Sequence, residues 1–348
     1  MSDKQFTFKT ILYTLILMVI IMITVIVIDP FIRYHKPFFG LAAVESEERS
    51  AAIGLARNMD YDTVLMGSSM SENFIDSWFE DGHFGESCVK IPLQGGHMDD
   101  YIPVLDEITQ HEELKNVVFC LDNYLFNDDN GLYPPTIPDH FISKPGITDI
   151  YYLLNKSVVF YYLPKYLILN SMEGYSDDNA YVWANRYEFS KYIARADYMA
   201  TRRLSALPES EYDYYFDNID VLLEELEKYI EAREDVTFYF YAPPYSILFW
   251  DVTRLEGKLT AEICGLGKLY EELLKHPNVR LFYFQNDYDL ITDLDHYRDY
   301  SHYDQGINRA MYEAMKNGDF ELTTDTYYDT LLEMYYYALE YDYESCFH

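Results

Sequence analysis

A serine hydroxyl becomes a nucleophile when a base stands beside it, and a histidine serves as that base when an acid holds its other ring nitrogen. The chain carries these three residue types in two short blocks far apart. The first is Asp62-Thr63-Val64-Leu65-Met66-Gly67-Ser68-Ser69-Met70-Ser71, and the second is Asp299-Tyr300-Ser301-His302. In the second block an acid precedes a histidine by three residues. Asp293-Leu294-Asp295-His296 has the same spacing and competes with it. His302 is preferred because Tyr303-Asp304-Gln305-Gly306-Ile307-Asn308 follows it as a turn and Ala310 to Met315 then has helical spacing. His296 lacks such a helix start.

The elements that must position these groups can be read around them. Thr63 to Met66 is a short apolar run and predicts a buried strand. Gly67 stops it, and Phe74, Ile75 and Phe79 give Ser71 to Glu80 helix-like spacing. Strand, glycine turn, serine and helix would set a hydroxyl at the carboxyl edge of a parallel sheet, where ligands gather in open α/β folds. A helix N-terminus there would offer free N–H groups to an oxyanion. Further strands are expected at Cys88 to Ile91, Asn116 to Leu121, Thr237 to Tyr241 and Val279 to Phe284, separated by helices at Asp100 to Gln110, Ile219 to Arg233 and Ala261 to Lys275. Alternating strands and helices predict an α/β domain with a largely parallel sheet.

Together the two blocks resemble the SGNH (GDSL-like) hydrolase superfamily, whose first block is Gly-Asp-Ser and whose last is Asp-x-x-His. The likeness covers roughly residues 50–317, and its specific part is the two end blocks. It implies a three-layer α/β/α flavodoxin-like sheet. It gives Ser69, two residues after Gly67, the nucleophile's place rather than Ser68, His302 the base's place and Asp299 that of the orienting acid. The Gly-Ser-Ser form behind an N-terminal apolar span resembles the D-alanyl transfer proteins of the teichoic-acid system. The family's second block supplies a glycine N–H to the oxyanion. In Pro92-Leu93-Gln94-Gly95-Gly96-His97 either Gly95 or Gly96 can do so, or the stretch is a plain strand-to-helix turn. The family's third block is Gly-x-Asn-Asp. Here Asp122-Asn123-Tyr124 departs from it, so either Asp122 stands where the asparagine would be or Asn123 serves in a shifted register. An ionised Asp cannot donate a hydrogen bond. Pro243-Pro244-Tyr245-Ser246 is similar to the family's diproline turn at the cleft rim and makes Tyr245 and Ser246 rim candidates.

Domain organisation follows from composition along the chain. Residues 1–9 are a polar tail with Lys4 and Lys9, and Thr10 to Ile28 are 19 positions without a charge, enough to span a hydrocarbon core of about 30 Å. No small-residue cleavage site follows, so this reads as an uncleaved anchor, with residues 29–50 a connector that holds an acidic run from Glu45 to Glu48. Lysines before the span and Arg33 and Lys36 after it nearly balance. The family resemblance favours a cytoplasmic N-terminus and an extracytoplasmic domain at residues 51–317. Within that domain residues 127–217, punctuated by Pro134, Pro135 and Pro138 and rich in Tyr, read as an insertion that offers either an aromatic substrate wall or a packing subdomain. Residues 318–348 read as a helical tail, with helical periodicity from Tyr327 to Tyr341.

Composition also excludes classes. A net charge of −33 argues against nucleic acid and against anionic lipid as a surface partner. The four cysteines are too few for a disulfide scaffold, and Cys88 and Cys120 fall in expected core strands. There is no Cys-x-x-Cys, His-Glu-x-x-His, Walker loop or dinucleotide fingerprint, so neither metal nor nucleotide cofactor is expected. What the resemblance implies is a serine esterase or acyltransferase working on ester or thioester acyl groups of an envelope glycan or polymer, with an acyl-donor carrier as a possible second partner. The opposing reading is a non-catalytic envelope scaffold or binding protein that keeps the fold, since fold alone does not fix function.

Overall fold

The computed structural model describes residues 3–43, 47–127 and 136–347. Glu45, where the acidic run begins, and the Pro134-Pro135 pair lie outside the described residues. The chain forms two compact units, one of Met1–Asp60 with Pro135–Tyr181 and one of Tyr61–Pro134 with Val182–His348. The stretch read as a single insertion is therefore divided between them after Tyr181.

The second unit is an α/β body on a six-stranded mixed sheet. Its strands are β1 (Thr63–Gly67), β2 (Cys88–Pro92), β3 (Asn116–Cys120), β4 (Thr237–Ala242), β5 (Val279–Tyr283) and β6 (Glu321–Leu322), in the order β2-β1-β3-β4-β5-β6. The first five pair in parallel, and β6 joins β5 antiparallel. β1 and β3 are buried along their whole length, as parallel strands covered on both faces must be. The helices Met98–Ile108, Phe216–Ala232 and Leu259–Leu273 stand where hydrophobic periodicity places them. The two-residue β6 and the helix Ile247–Leu255 were not foreseen. The helix is hard to read because its burial is not confined to one apolar stripe: Ile247, Leu248 and Trp250 have no exposed surface, and the polar Asp251 and Thr253 are buried with them. Sheet order reverses direction beside β1, because β2 lies on one side of it and β3 on the other. The carboxyl ends of β1 and β3 thus border the crevice where open sheets bind ligands.

The helix expected over Ser71 to Glu80 does not form. Residues 68–74 run through turns, and one short 3₁₀ stretch follows at Asp76–Phe79. The backbone carbonyls there are taken by side chains from distant elements. Trp183 Nε1 donates to Ser69 O at 3.0 Å, Asn308 Nδ2 to Met70 O at 3.0 Å and Gln305 Nε2 to Asn73 O at 3.0 Å. The buried Lys90 ammonium donates to Glu72 O at 3.0 Å and to Phe74 O at 2.6 Å. Such donors replace the helix ladder and hold an irregular path that hydrophobic spacing cannot encode.

The first unit contains α1 (Asp3–Ile28), a helix long and apolar enough to cross a membrane. It also holds the helix Glu48–Asn58, the short helices Asp139–Ile142, Ile150–Leu153 and Leu163–Asn170, a π-helical turn at Val158–Tyr162 and 3₁₀ turns at Ile147–Asp149 and Asp177–Asn179. Arg33 ties it internally by a buried bidentate pair to Asp149, Nη2 to Oδ1 at 2.7 Å and Nε to Oδ2 at 2.9 Å.

Candidate active site

Ser69 sits just past the carboxyl end of β1. Gly67 brings it there with a φ of +141°, and a Cβ at Gly67 would lie 2.5 Å from Cys120 Cβ on β3. Only glycine fits so close an approach with that backbone. Ser69 and His302 are 233 positions apart in sequence, and Ser69 Oγ lies 3.0 Å from His302 Nε2. Behind the imidazole, His302 Nδ1 lies 2.9 Å from Asp299 Oδ2 and 3.1 Å from Oδ1. With a carboxylate accepting at Nδ1, the Nε2 lone pair faces the serine, which is the tautomer a general base requires.

Asp299 is held by more than the imidazole. Its Oδ1 accepts from the backbone N–H of Ser301 at 2.9 Å, from that of His302 at 2.7 Å and from Ser301 Oγ at 3.1 Å. Burial pushes its carboxyl up, but the His302 contact and the two backbone donors outweigh burial and hold it down at about 2. The carboxylate is therefore charged throughout the neutral range.

The loop that carries this pair is pinned from below. Ser246 donates to Tyr300 O through both N–H at 3.0 Å and Oγ at 2.8 Å, and Tyr297 OH donates to Pro244 O at 2.8 Å. Tyr245 and Ser246 have no exposed surface, so both stand beneath the site instead of on its rim. The diproline turn takes its side chains inward because the strand it ends is central and covered. His296 points elsewhere: its Nδ1 lies 2.7 Å from Asp304 Oδ2. It braces the start of the helix Gln305–Asn317, whose N-cap is Asp304.

A cavity of about 300 Å³ opens over Ser69 and His302 and is bordered by Gln94, Gly95, Asp122 and Tyr124. Of the two glycines, Gly96 spends its N–H on Leu93 O at 2.7 Å and does not border the cavity. Gly95 borders it with φ +59°, and among the described residues none accepts a hydrogen bond from the Gly95 N–H or from that of Ser69. His97 is the N-cap of the helix Met98–Ile108.

Asp122 and Asn123 divide differently from expectation. Asn123 is buried with its amide donating to Glu262 Oε1, so it turns away from the cavity and cannot serve an oxyanion there. Asp122 borders the cavity, and its two oxygens accept from the hydroxyls of Ser68 and Tyr245. Burial raises its carboxyl, against the hydrogen bonds of Ser68, Tyr245 and Cys120. With both oxygens accepting, Asp122 fixes Ser68 and the end of β3 and donates nothing.

Sequence reading passed over Trp183. Its indole N–H holds the Ser69 carbonyl, and its ring meets the His302 imidazole edge-on at 5.4 Å between centroids. Asn73 Oδ1 fixes it in turn by accepting from the N–H of Trp183 at 3.1 Å and of Ala184 at 3.0 Å. The only hint in sequence was one tryptophan in a Tyr-rich run. Among the described residues no cluster of His, Cys, Asp and Glu could hold a metal ion. No family model, curated protein or solved structure matches the chain.

Proposed function

We propose that the chain is a membrane-tethered serine esterase or O-acyltransferase of SGNH-like type, with a flavodoxin-like sheet. It acts on ester or thioester acyl groups of a cell-envelope glycan or polymer. The observation that carries this reading is the line Ser69 Oγ, His302 Nε2, His302 Nδ1, Asp299 Oδ2, with separations of 3.0 and 2.9 Å at its two hydrogen bonds. Such contacts satisfy the reach a nucleophile and its base need.

The chemistry then runs through this chain's own groups. Ser69 Oγ attacks the acyl carbonyl carbon while His302 Nε2 takes its proton. Asp299 holds the tautomer and stabilises the imidazolium. The N–H groups of Ser69 and Gly95 receive the oxyanion, and each such donor contributes about 2.7–4 kcal/mol of barrier lowering. The bond from carbonyl carbon to leaving oxygen or sulfur breaks, and Nε2 returns the proton to that leaving group. Water or an acceptor hydroxyl then attacks the acyl-serine by the same steps in reverse. Among the described residues no Lys or Arg borders the cavity, which favours an uncharged acyl centre over a phosphoryl group. The family likeness supports an extracytoplasmic body with α1 as its anchor and a cytoplasmic N-terminus.

A fluorophosphonate probe and a chromogenic aryl ester test the proposal together. Labelling should map to Ser69 and vanish in Ser69→Ala and His302→Ala. Turnover of the ester marks an esterase, and a stable acyl-enzyme released only by an added hydroxyl acceptor marks a transferase. A folded protein that neither labels nor acylates at Ser69 sinks the catalytic reading and leaves the scaffold reading, which the lack of an asparagine donor in the cavity favours.

A further inference from the structure

The first unit carries a surface that its own chemistry marks for lipid. Residues 3–20 of α1 are exposed throughout, whereas Val25 is buried and Ile21, Met22, Ile26 and Ile28 are half-buried. The cover comes from the short helix Ile150–Leu153 and the π-helical turn Val158–Tyr162, both packed on α1. The uncharged run of α1 begins only after Lys9. From Thr10 to Ile28 its 19 residues rise about 28 Å, which leaves no slack against a hydrocarbon core of about 30 Å. Its last two turns must therefore lie at the far boundary of that core, and whatever packs on them lies at the same depth.

Those packed segments, and the 3₁₀ turn Ile147–Asp149 that leads into the first of them, carry exposed apolar side chains. Ile147 is 94% exposed, Tyr151 82% and Phe160 78%, and Tyr161, Ile168 and Phe39 are exposed in the same unit. Large aromatic rings of this kind settle at membrane–water interfaces. The charge of the segment also reverses that of the chain. Residues 141–172 hold Lys144, Lys156 and Lys165 against the single carboxylate of Asp149, which Arg33 already neutralises, in a protein of net charge −33. Net charge alone argued against an anionic lipid surface; this local patch argues for one.

We infer that residues 147–168 form a second membrane contact, in which Ile147, Tyr151, Phe160 and Tyr161 seat in the interfacial layer of the bilayer and the exposed Lys144 and Lys156 face lipid phosphates. The inference rests on α1 being a membrane span. It makes the anchor a fixed platform in place of a free tether, because the same segments grip α1 and the bilayer together.

The test uses the full-length chain in nanodiscs of phosphatidylcholine and phosphatidylglycerol, with Cys88→Ala and Cys264→Ala as background. An environment-sensitive fluorophore is placed at Val19→Cys, Tyr151→Cys or Phe160→Cys, and circular dichroism checks folding. The expected result is quenching by nitroxide-bearing lipid and loss of iodide quenching at all three positions. If Val19 is protected while Tyr151 and Phe160 stay open to iodide, the second contact is refuted and the span survives. If Val19 itself is open to iodide, the span fails and the inference with it. Should Tyr151→Cys not fold, Ile147→Cys takes its place.

Discussion

Replacing Asp299 by asparagine keeps the shape of the side chain and removes the charge that organises His302. In the parent, Oδ1 accepts from two backbone N–H groups and Oδ2 accepts from Nδ1 at 2.9 Å. The asparagine carbonyl must stay on the backbone donors, so its NH₂ falls opposite Nδ1. Two donors cannot share that contact, and the imidazole moves its proton to Nε2, where it faces Ser69 as a donor. A base with the wrong tautomer is expected to lower kcat by about 10⁴-fold. Stability should respond as well. A carboxyl held from its ordinary 3.8 down to about 2 reflects about 2 kcal/mol of preference for the charged form. The folded pKa is depressed, so this contribution is fully present above pH 3.8 and is lost as pH falls through about 2. Asp299→Asn should therefore be less stable than the parent by about 2 kcal/mol at neutral pH, with the gap closing below pH 3.8. Burst kinetics on an aryl ester and urea melts between pH 2 and 7 read both quantities. Turnover within about tenfold of the parent, in a chain where Ser69→Ala is dead, refutes the orienting role of Asp299.

Trp183→Phe leaves the Ser69 carbonyl without its indole donor and should cost about 1–3 kcal/mol in a urea melt, with ester turnover lowered by up to about 10²-fold through misplacement of the nucleophile. Gly95→Ala meets no atom within 4 Å and pays only for its positive φ, about 1–2 kcal/mol, whereas a Cβ on Gly96 would lie 2.8 Å from both Leu93 O and Tyr101 OH. Thermal melts should therefore rank Gly96→Ala as the less stable of the two. His296→Ala removes a half-exposed pair with Asp304 and should keep turnover within about threefold and stability within about 1 kcal/mol. Loss of activity there would reopen the choice of base.

Element type and order were legible because hydrophobic period survives in the local sequence. The run Thr63 to Met66 and the stripe of Leu222, Leu223 and Leu226 identify their own elements. Ser69, Asp299 and His302 could be singled out because their residue types and spacing are a chemical constraint, and the structure brings their side chains into contact. The segment after Ser69 was misread since its Phe74, Ile75 and Phe79 have helical spacing while its carbonyls are claimed by Trp183, Gln305 and Asn308. Asn123 was misread since nothing near it in sequence announces Glu262 as its partner.

The sequence by itself therefore determined an apolar N-terminal helix, an alternation of strands and helices, and which groups are chemically able to form a nucleophile with its base. Tertiary structure decided which glycine N–H is open, that Asp122 accepts from Ser68 and Tyr245, that His296 pairs with Asp304, and that the Trp183 indole holds the Ser69 carbonyl. The physical reason is one of range. Propensity and period act over a few neighbouring residues, whereas a hydrogen bond between side chains is settled by distances of about 3 Å between segments that only the completed sheet brings together.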